Sequence, residues 1–352
     1  MTREIFFREI RRHLGEQMAR CPAMEQQDVV KFVFQALLGV GHLLSSREEA
    51  EEFVIRETDL QPAVSGEPLY EELSPSWCRI SLRGARERGI PPSVVSGLMF
   101  TPGGGLPFTR QDVLGFCREL AASGNYRITD PDALNRILDE GWLPSHSPAY
   151  RQQYQPAYRV IPAEWIPRTE LIRRIAERKA ERTLVTVDGP CASGKTTLAE
   201  KLSSVYHAAV VHTDEYVIPH AQKTAERLAV PGGNCDADRL AREVAAPWNR
   251  GEPVLYRRYD CRKDLLLPAE KLPDCRLLIL EGSYCNLPVI RQYADIRVFV
   301  KASWETRAER LRKRESPQSL QMFRDRWIPL EDRYFSAFGL PDPDCVLLPG
   351  DC

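Results

Sequence analysis

Residues 183–197 read TLVTVDGPCASGKTT, and this stretch decides the fold. Leu184, Val185 and Val187 make an apolar strand that runs into a glycine turn at Gly189. From Gly189 to Thr196 the chain matches G-x-x-x-x-G-K-[ST] in full. The segment TTLAEKLSSVYH then continues with helical composition. Strand, glycine loop and helix in that order form a phosphate cradle. Glycine lets the backbone curl until several N–H groups converge, and the new helix adds the positive end of its dipole. The pattern assigns nucleotide phosphates to Gly189, Ala192, Ser193, Gly194, Lys195, Thr196 and Thr197. Lys195 would reach the β- and γ-phosphates, and the Thr196 hydroxyl would ligate Mg²⁺.

Working outward, apolar runs recur at 208–214 (AAVVHTD), 276–282 (RLLILEG), 296–302 (IRVFVKA) and 344–350 (DCVLLPG), with helical stretches between them. A charged amphipathic helix over 170–182 precedes the first strand. Such alternation predicts an α/β domain over 169–352, with a parallel sheet flanked by helices. The loop alone does not name a reaction. A guanine-specifying Asn/Thr-Lys-x-Asp segment and a Leu-Ser-Gly-Gly segment are both absent, which sets aside two other nucleotide-hydrolysing classes.

Five pieces, VDGPCASGKTTLA, HTDEYVIP, DADRLAREVAAPWNRGEPVLYRRYDC, LILEGSYC and VKASWETRAERLRKR, follow one another over 183–350. In this order they resemble uridine kinases and their phosphoribulokinase relatives, a P-loop kinase family, over about half the chain. The resemblance implies ATP and Mg²⁺ as cofactors and a small-molecule alcohol as acceptor. Asp214, at the end of its strand, matches the carboxylate that orients the acceptor hydroxyl and takes its proton; capping of the next turn is the alternative. Glu281, ending LILE, matches a magnesium-managing carboxylate, or else it pairs with Lys195 in the empty site. Arg307, Arg310 and Arg314 share a helix face at i, i+3, i+7 and match lid arginines, although such runs are commonly solvated faces. In that scheme Lys195, Asp214, Arg307 and Arg310 are catalytic, while Arg314 joins the nucleotide site. Tyr216, Asp236, Tyr259 and Asp260 would line the acceptor. The stretch after Tyr259–Asp260 is CRKDLLL and lacks the family's histidine, and Arg257, Arg258 and Arg262 make it basic. A nucleoside acceptor is expected first, with a sugar phosphate or another small alcohol as the alternative. A nucleotide-gated regulatory module is the reading from outside enzymes.

The remaining 168 residues give no catalytic motif. Residues 1–140 read as a mainly helical domain. Val30, Val33, Phe34, Leu37 and Leu38 make one apolar helix face. Ser45 or Ser46, Thr109, and Asp130 or Thr129 are candidate N-caps. Residues 141–168 hold five prolines and five aromatics, and read as an ordered linker. His42 and His146 read as structural histidines. Shaping the acceptor site, forming a homo-oligomer and sensing a metabolite all stay open as roles for this half.

The 352 residues carry a formal net charge of −1, so nucleic acid and anionic membranes are not expected partners. A charged N-terminus without an apolar signal region points to the cytoplasm. The ten cysteines are scattered without a Cys-x-x-Cys pair and read as reduced thiols.

Overall fold

A computed structural model describes residues 2–39, 46–60, 66–103, 106–130, 134 and 144–350. The chain divides into two compact units, Met1–Thr169 and Glu170–Cys352.

The first unit is helical with a small sheet. Helices Arg3–Arg20, Gln26–Leu38 and Arg110–Ala122 pack through Phe6, Ile10, Leu14, Val30, Val33, Phe116 and Leu120, all essentially without exposure. Thr109 caps the third of these, its side chain accepting from the Asp112 N–H. The Ser46 hydroxyl likewise accepts from Glu49 N at 3.2 Å. The expected helix after Asp130 and the residue His42 lie outside the described residues, apart from Leu134. Strands β1 (Tyr70–Glu72), β2 (Trp77–Ser81) and β3 (Tyr158–Pro162) form an antiparallel sheet. The linker expected over 141–168 is thereby corrected. Pro148–Tyr154 is a short helix and Tyr158–Pro162 is an edge strand of this sheet. Pro162 ends the strand because it cannot donate to a ladder, and an edge position tolerates it.

The second unit contains β4 (Thr183–Asp188), β5 (Ala209–His212), four two-residue strands β6 (Leu255–Tyr256), β7 (Tyr259–Asp260), β8 (Leu265–Leu266) and β9 (Glu270–Lys271), then β10 (Leu277–Glu281), β11 (Ile296–Lys301) and β12 (Val346–Pro349). The main sheet is wholly parallel in the order β12-β11-β4-β10-β5. All of β4 and β10 is buried, which explains their unbroken apolar character. The α/β expectation holds, and each of the five apolar runs forms one strand of the sheet. The order reverses around β4, so ligands belong at the carboxyl ends of β4, β10 and β5. The antiparallel pair β6–β9 and, between them in the chain, the hairpin β7–β8 stand apart from this sheet. Among the described residues no helix is long and apolar enough to cross a membrane.

Candidate active site

The site begins where β4 ends. Gly189 and Gly194 take φ values of 143° and 102°, in the region where a side chain is strained. A Cβ on Gly189 would also stand 2.4 Å from the Val300 carbonyl oxygen. Helix Lys195–Tyr206 starts immediately after the loop, aiming its free N–H groups at the ligand position. Lys195 is buried, and its ammonium donates to the carbonyls of Gly189 (2.8 Å) and Pro190 (3.0 Å). The Ser193 hydroxyl is buried without a hydrogen-bond partner. Thr196 and Thr197 are exposed on the first turn of the helix.

Turning the loop N–H groups inward turns its carbonyls outward, where they need donors. Arg307 and Arg310 supply them. Arg307 Nε donates to Cys191 O at 2.8 Å, and Arg310 donates to Ala192 O at 3.1 Å and Gly350 O at 2.6 Å. These two arginines, expected to fold over the phosphates, hydrogen-bond to the loop carbonyls. Arg314 pairs with Glu315 at 2.7 Å, and its charge also acts on Asp214.

Three further supports were not legible in the sequence. Glu331 accepts from Cys191 N at 2.8 Å and from the Ser283 hydroxyl at 2.6 Å. Asp188, with no exposed surface, accepts from Gly189 N, Asn286 N and the Tyr334 hydroxyl. Burial pushes its pKa up to about 6, against those hydrogen bonds and the Lys195 charge. Gly350 closes the far side: a Cβ there would lie 1.9 Å from the Ser193 carbonyl oxygen.

Strand register assembles the chemistry. Glu281 pairs with Val187 on one side and with His212 on the other. Its Oε1 accepts from the Thr196 hydroxyl at 3.0 Å and lies 2.8 Å from His212 Nδ1. Its Oε2 is buried with no partner. The alternative pairing of Glu281 with Lys195 does not form. A hydroxyl beside a carboxylate with one orphaned oxygen is a hard, oxygen-only donor set, which fits Mg²⁺. His212 was not predicted; its pKa is raised, first by the hydrogen bond with Glu281.

Asp214 follows two residues after β5 and is exposed. Its pKa is nevertheless raised, chiefly by desolvation, with Lys195 pulling it down and Glu281 pushing it up. A carboxylate of raised basicity suits proton acceptance.

The four residues expected to bind acceptor are occupied differently. Tyr216 has no exposed surface and packs in the core, with the Arg239 guanidinium 4.1 Å from its ring. Asp236 caps helix Ala237–Leu240 and holds Arg239 Nε at 3.1 Å. The buried Tyr259 donates its hydroxyl to Asp264. Asp260 accepts from Arg262 N (2.9 Å) and Lys263 N (3.1 Å), a turn-capping arrangement. Asp236, Tyr259 and Asp260 each hold an internal hydrogen-bond partner, whereas the buried Tyr216 hydroxyl has none. The surrounding basicity is also reduced, because Arg257 pairs with Glu243 and Arg258 with Glu270.

No family model and no curated protein matches the chain. Among solved structures it is similar to a possible uridine kinase from Bacillus stearothermophilus, with 20% identity over 53% of this chain and 96% of that chain, at a TM-score of 0.42. It is also similar to a D-glycerate 3-kinase from Cryptococcus neoformans var. grubii (16% identity, 49% of this chain, 88% of that chain, TM-score 0.35). A third is a deoxyadenosine kinase from M. mycoides (12% identity, 48% of this chain, 92% of that chain, TM-score 0.24). By its own sheet order, phosphate loop and strand-end carboxylates, the second unit is an α/β domain of P-loop kinase-like fold.

Proposed function

We propose that the chain is an ATP-dependent kinase that transfers the γ-phosphoryl group to a hydroxyl of a small molecule. A nucleoside is the first choice of acceptor, after the uridine kinase-like motifs. The observation that carries the reading is the hydrogen-bonded row Thr196–Glu281–His212 at the ends of β10 and β5, with Asp214 two residues after β5 and its charge coupled to that of Glu281. Bound Mg²⁺·ATP would supply the phosphoryl group and neutralise its charge. In this reading Thr196 and Glu281 hold the metal, the loop N–H groups and Lys195 hold the phosphates, and Ser193 finds its missing partner there. Asp214 orients the acceptor hydroxyl and takes its proton at the carboxylate. Arg307 and Arg310 act by fixing the loop, and Arg314 adds positive charge near Asp214.

A sugar phosphate or another anionic alcohol is the second reading. Lys223 favours it: this lysine forms no ion pair among the described residues, and its charge acts on Cys261, which also feels Asp214. The test compares Asp214→Asn and Lys195→Ala with the native protein by nucleotide binding and turnover. Asp214→Asn should keep ATP affinity and lose turnover by about 10²-fold or more, while Lys195→Ala should abolish transfer. Full turnover in Asp214→Asn would remove the base assignment.

A further inference from the structure

Asp214 has no tie of its own. Its side chain is exposed and makes no hydrogen bond or ion pair to any described residue. Its place is therefore set by the backbone of the 3-10 turn Thr213–Tyr216. Proton transfer tolerates little error there, since a displacement of about 1 Å at a reacting group costs about 10²-fold in rate. Before Asp214, the Thr213 hydroxyl donates to Ser283 O at 2.8 Å and fixes the turn to the segment after β10.

The chain after Asp214 is held from a separate helix. Asp236 N donates to Tyr216 O at 2.6 Å and Ile218 N to Asn234 O at 3.1 Å, flanking an antiparallel bridge between Val217 and Cys235. Arg239, in helix Ala237–Leu240, is 4% exposed and lies over the Tyr216 ring at 4.1 Å. Its three nitrogens reach three segments. Nε donates to Asp236 Oδ2 at 3.1 Å, Nη1 to Arg257 O at 2.7 Å and Nη2 to Glu215 O at 3.0 Å. Nη1 also lies 3.5 Å from Glu243, the carboxylate that accepts from Arg257 N. Arg258 adds a looser tie, 3.9 Å from Glu215.

A buried guanidinium is costly to desolvate, and an apolar side chain would fill the place with less penalty if packing were the only demand. An apolar residue cannot join the carbonyl next to Asp214 to the carbonyl two residues before Tyr259. Arginine's flat fork reaches several acceptors in fixed directions, whereas a lysine ammonium is one compact donor centre.

We infer that Arg239 is a positioning residue for Asp214: its guanidinium holds the Glu215 and Arg257 carbonyls together, and so fixes the turn that carries the base to the chain entering β7. This role rests on Asp214 being the base of the proposed reaction. None of Arg239's partners belongs to the phosphate loop, so its effect should fall on transfer and not on nucleotide binding.

The test is Arg239→Lys in the full-length protein, alone and combined with Asp214→Asn. Amide hydrogen exchange reads the turn itself. Exchange at Ile218 and Asp236 should rise about tenfold or more, while residues 189–196 keep the native rate. Kinetics reads the consequence. ATP affinity should be unchanged, and acceptor-dependent kcat should fall at least about tenfold where Asp214 is present. In the Asp214→Asn background, followed over long incubations, the same change should cost less than about twofold, because the base it positions is gone. Asp236→Asn serves if Arg239→Lys does not fold. Asparagine caps a helix start as well as aspartate does, but the charge holding Nε is lost, so the same pattern should appear at smaller amplitude, read at Ile218. Unchanged exchange at Ile218, a loss of turnover equal with and without Asp214, or a loss that tracks ATP affinity would overturn the positioning role. A native protein with no acceptor-dependent turnover fails differently: it removes the kinase reading and, with it, a base for Arg239 to position.

Discussion

Replacing Glu281 by glutamine separates a functional carboxylate from a structural one, because the two predict opposite signs. In the native protein Oε1 is satisfied by Thr196 and His212, while Oε2 is buried and unpartnered. Leaving a buried charged acceptor unmet costs about 1–3 kcal/mol or more. The Glu281→Gln side chain keeps an oxygen for Thr196 and His212 and removes the charge, although its amide brings donors of its own. The net gain should be on the order of 1 kcal/mol without ligand, which for a unit of this size raises the melting temperature by about 2–4 °C. The metal side should move the other way: losing an orienting carboxylate typically weakens metal affinity by about 10–100-fold. Calorimetry without nucleotide reads the first effect, and a Mg²⁺ titration of ADP formation reads the second. The pair with His212 adds a pH signature. A histidine of raised folded pKa contributes stability that is full below its ordinary value of about 6.5 and is lost as pH rises through the folded value. Glu281→Gln should erase that acid-side contribution. A variant that melts several degrees lower with unchanged Mg²⁺ dependence would refute the reasoning and make Glu281 a structural residue.

Two further outcomes follow from the supports of the loop. Gly350→Ala forces a Cβ against the Ser193 carbonyl, 1.9 Å away in the native backbone. The loop or the end of β12 must shift, so nucleotide affinity should fall more than about tenfold, with destabilisation of about 1–3 kcal/mol, read by nucleotide titration and melting. Asp188 has a folded pKa of about 6 against an ordinary 3.8, so its deprotonation opposes folding as pH rises through that interval. About two units correspond to about 3 kcal/mol. Asp188→Asn should flatten this slope in urea melts between pH 4 and 7, and an unchanged slope would place the effect elsewhere.

The sequence showed most where constraint is local. Gly189 to Thr196 announce themselves because the backbone shape permits few residues, and strands such as Leu277–Glu281 stand out because both faces are buried. Glu281 was legible as the carboxylate ending its strand, and Asp214 as one just beyond β5. Asp188, His212, Glu331 and Gly350 were not, since each acquires its role from a partner brought close by the fold, such as Cys191 for Glu331 across 140 positions. Helical spacing put Arg307 and Arg310 on one face but could not say that loop carbonyls lie opposite. Tyr216 and Asp236 show the converse: residue types suited to a ligand were already engaged by Arg239. In the first unit, β3 was hidden by a proline-rich segment whose composition suggests a linker.

The central claim is phosphoryl transfer to an alcohol, and one measurement meets it directly. Purified protein is incubated with ATP and Mg²⁺, and ADP is followed with and without a panel of nucleosides, sugar phosphates and small alcohols. The account predicts ADP formation that depends on one acceptor class, with the matching phosphorylated product recovered in equal amount. Tight ATP binding with no acceptor raising ADP above the background would contradict it, and would leave a nucleotide-gated binding module in place of a kinase.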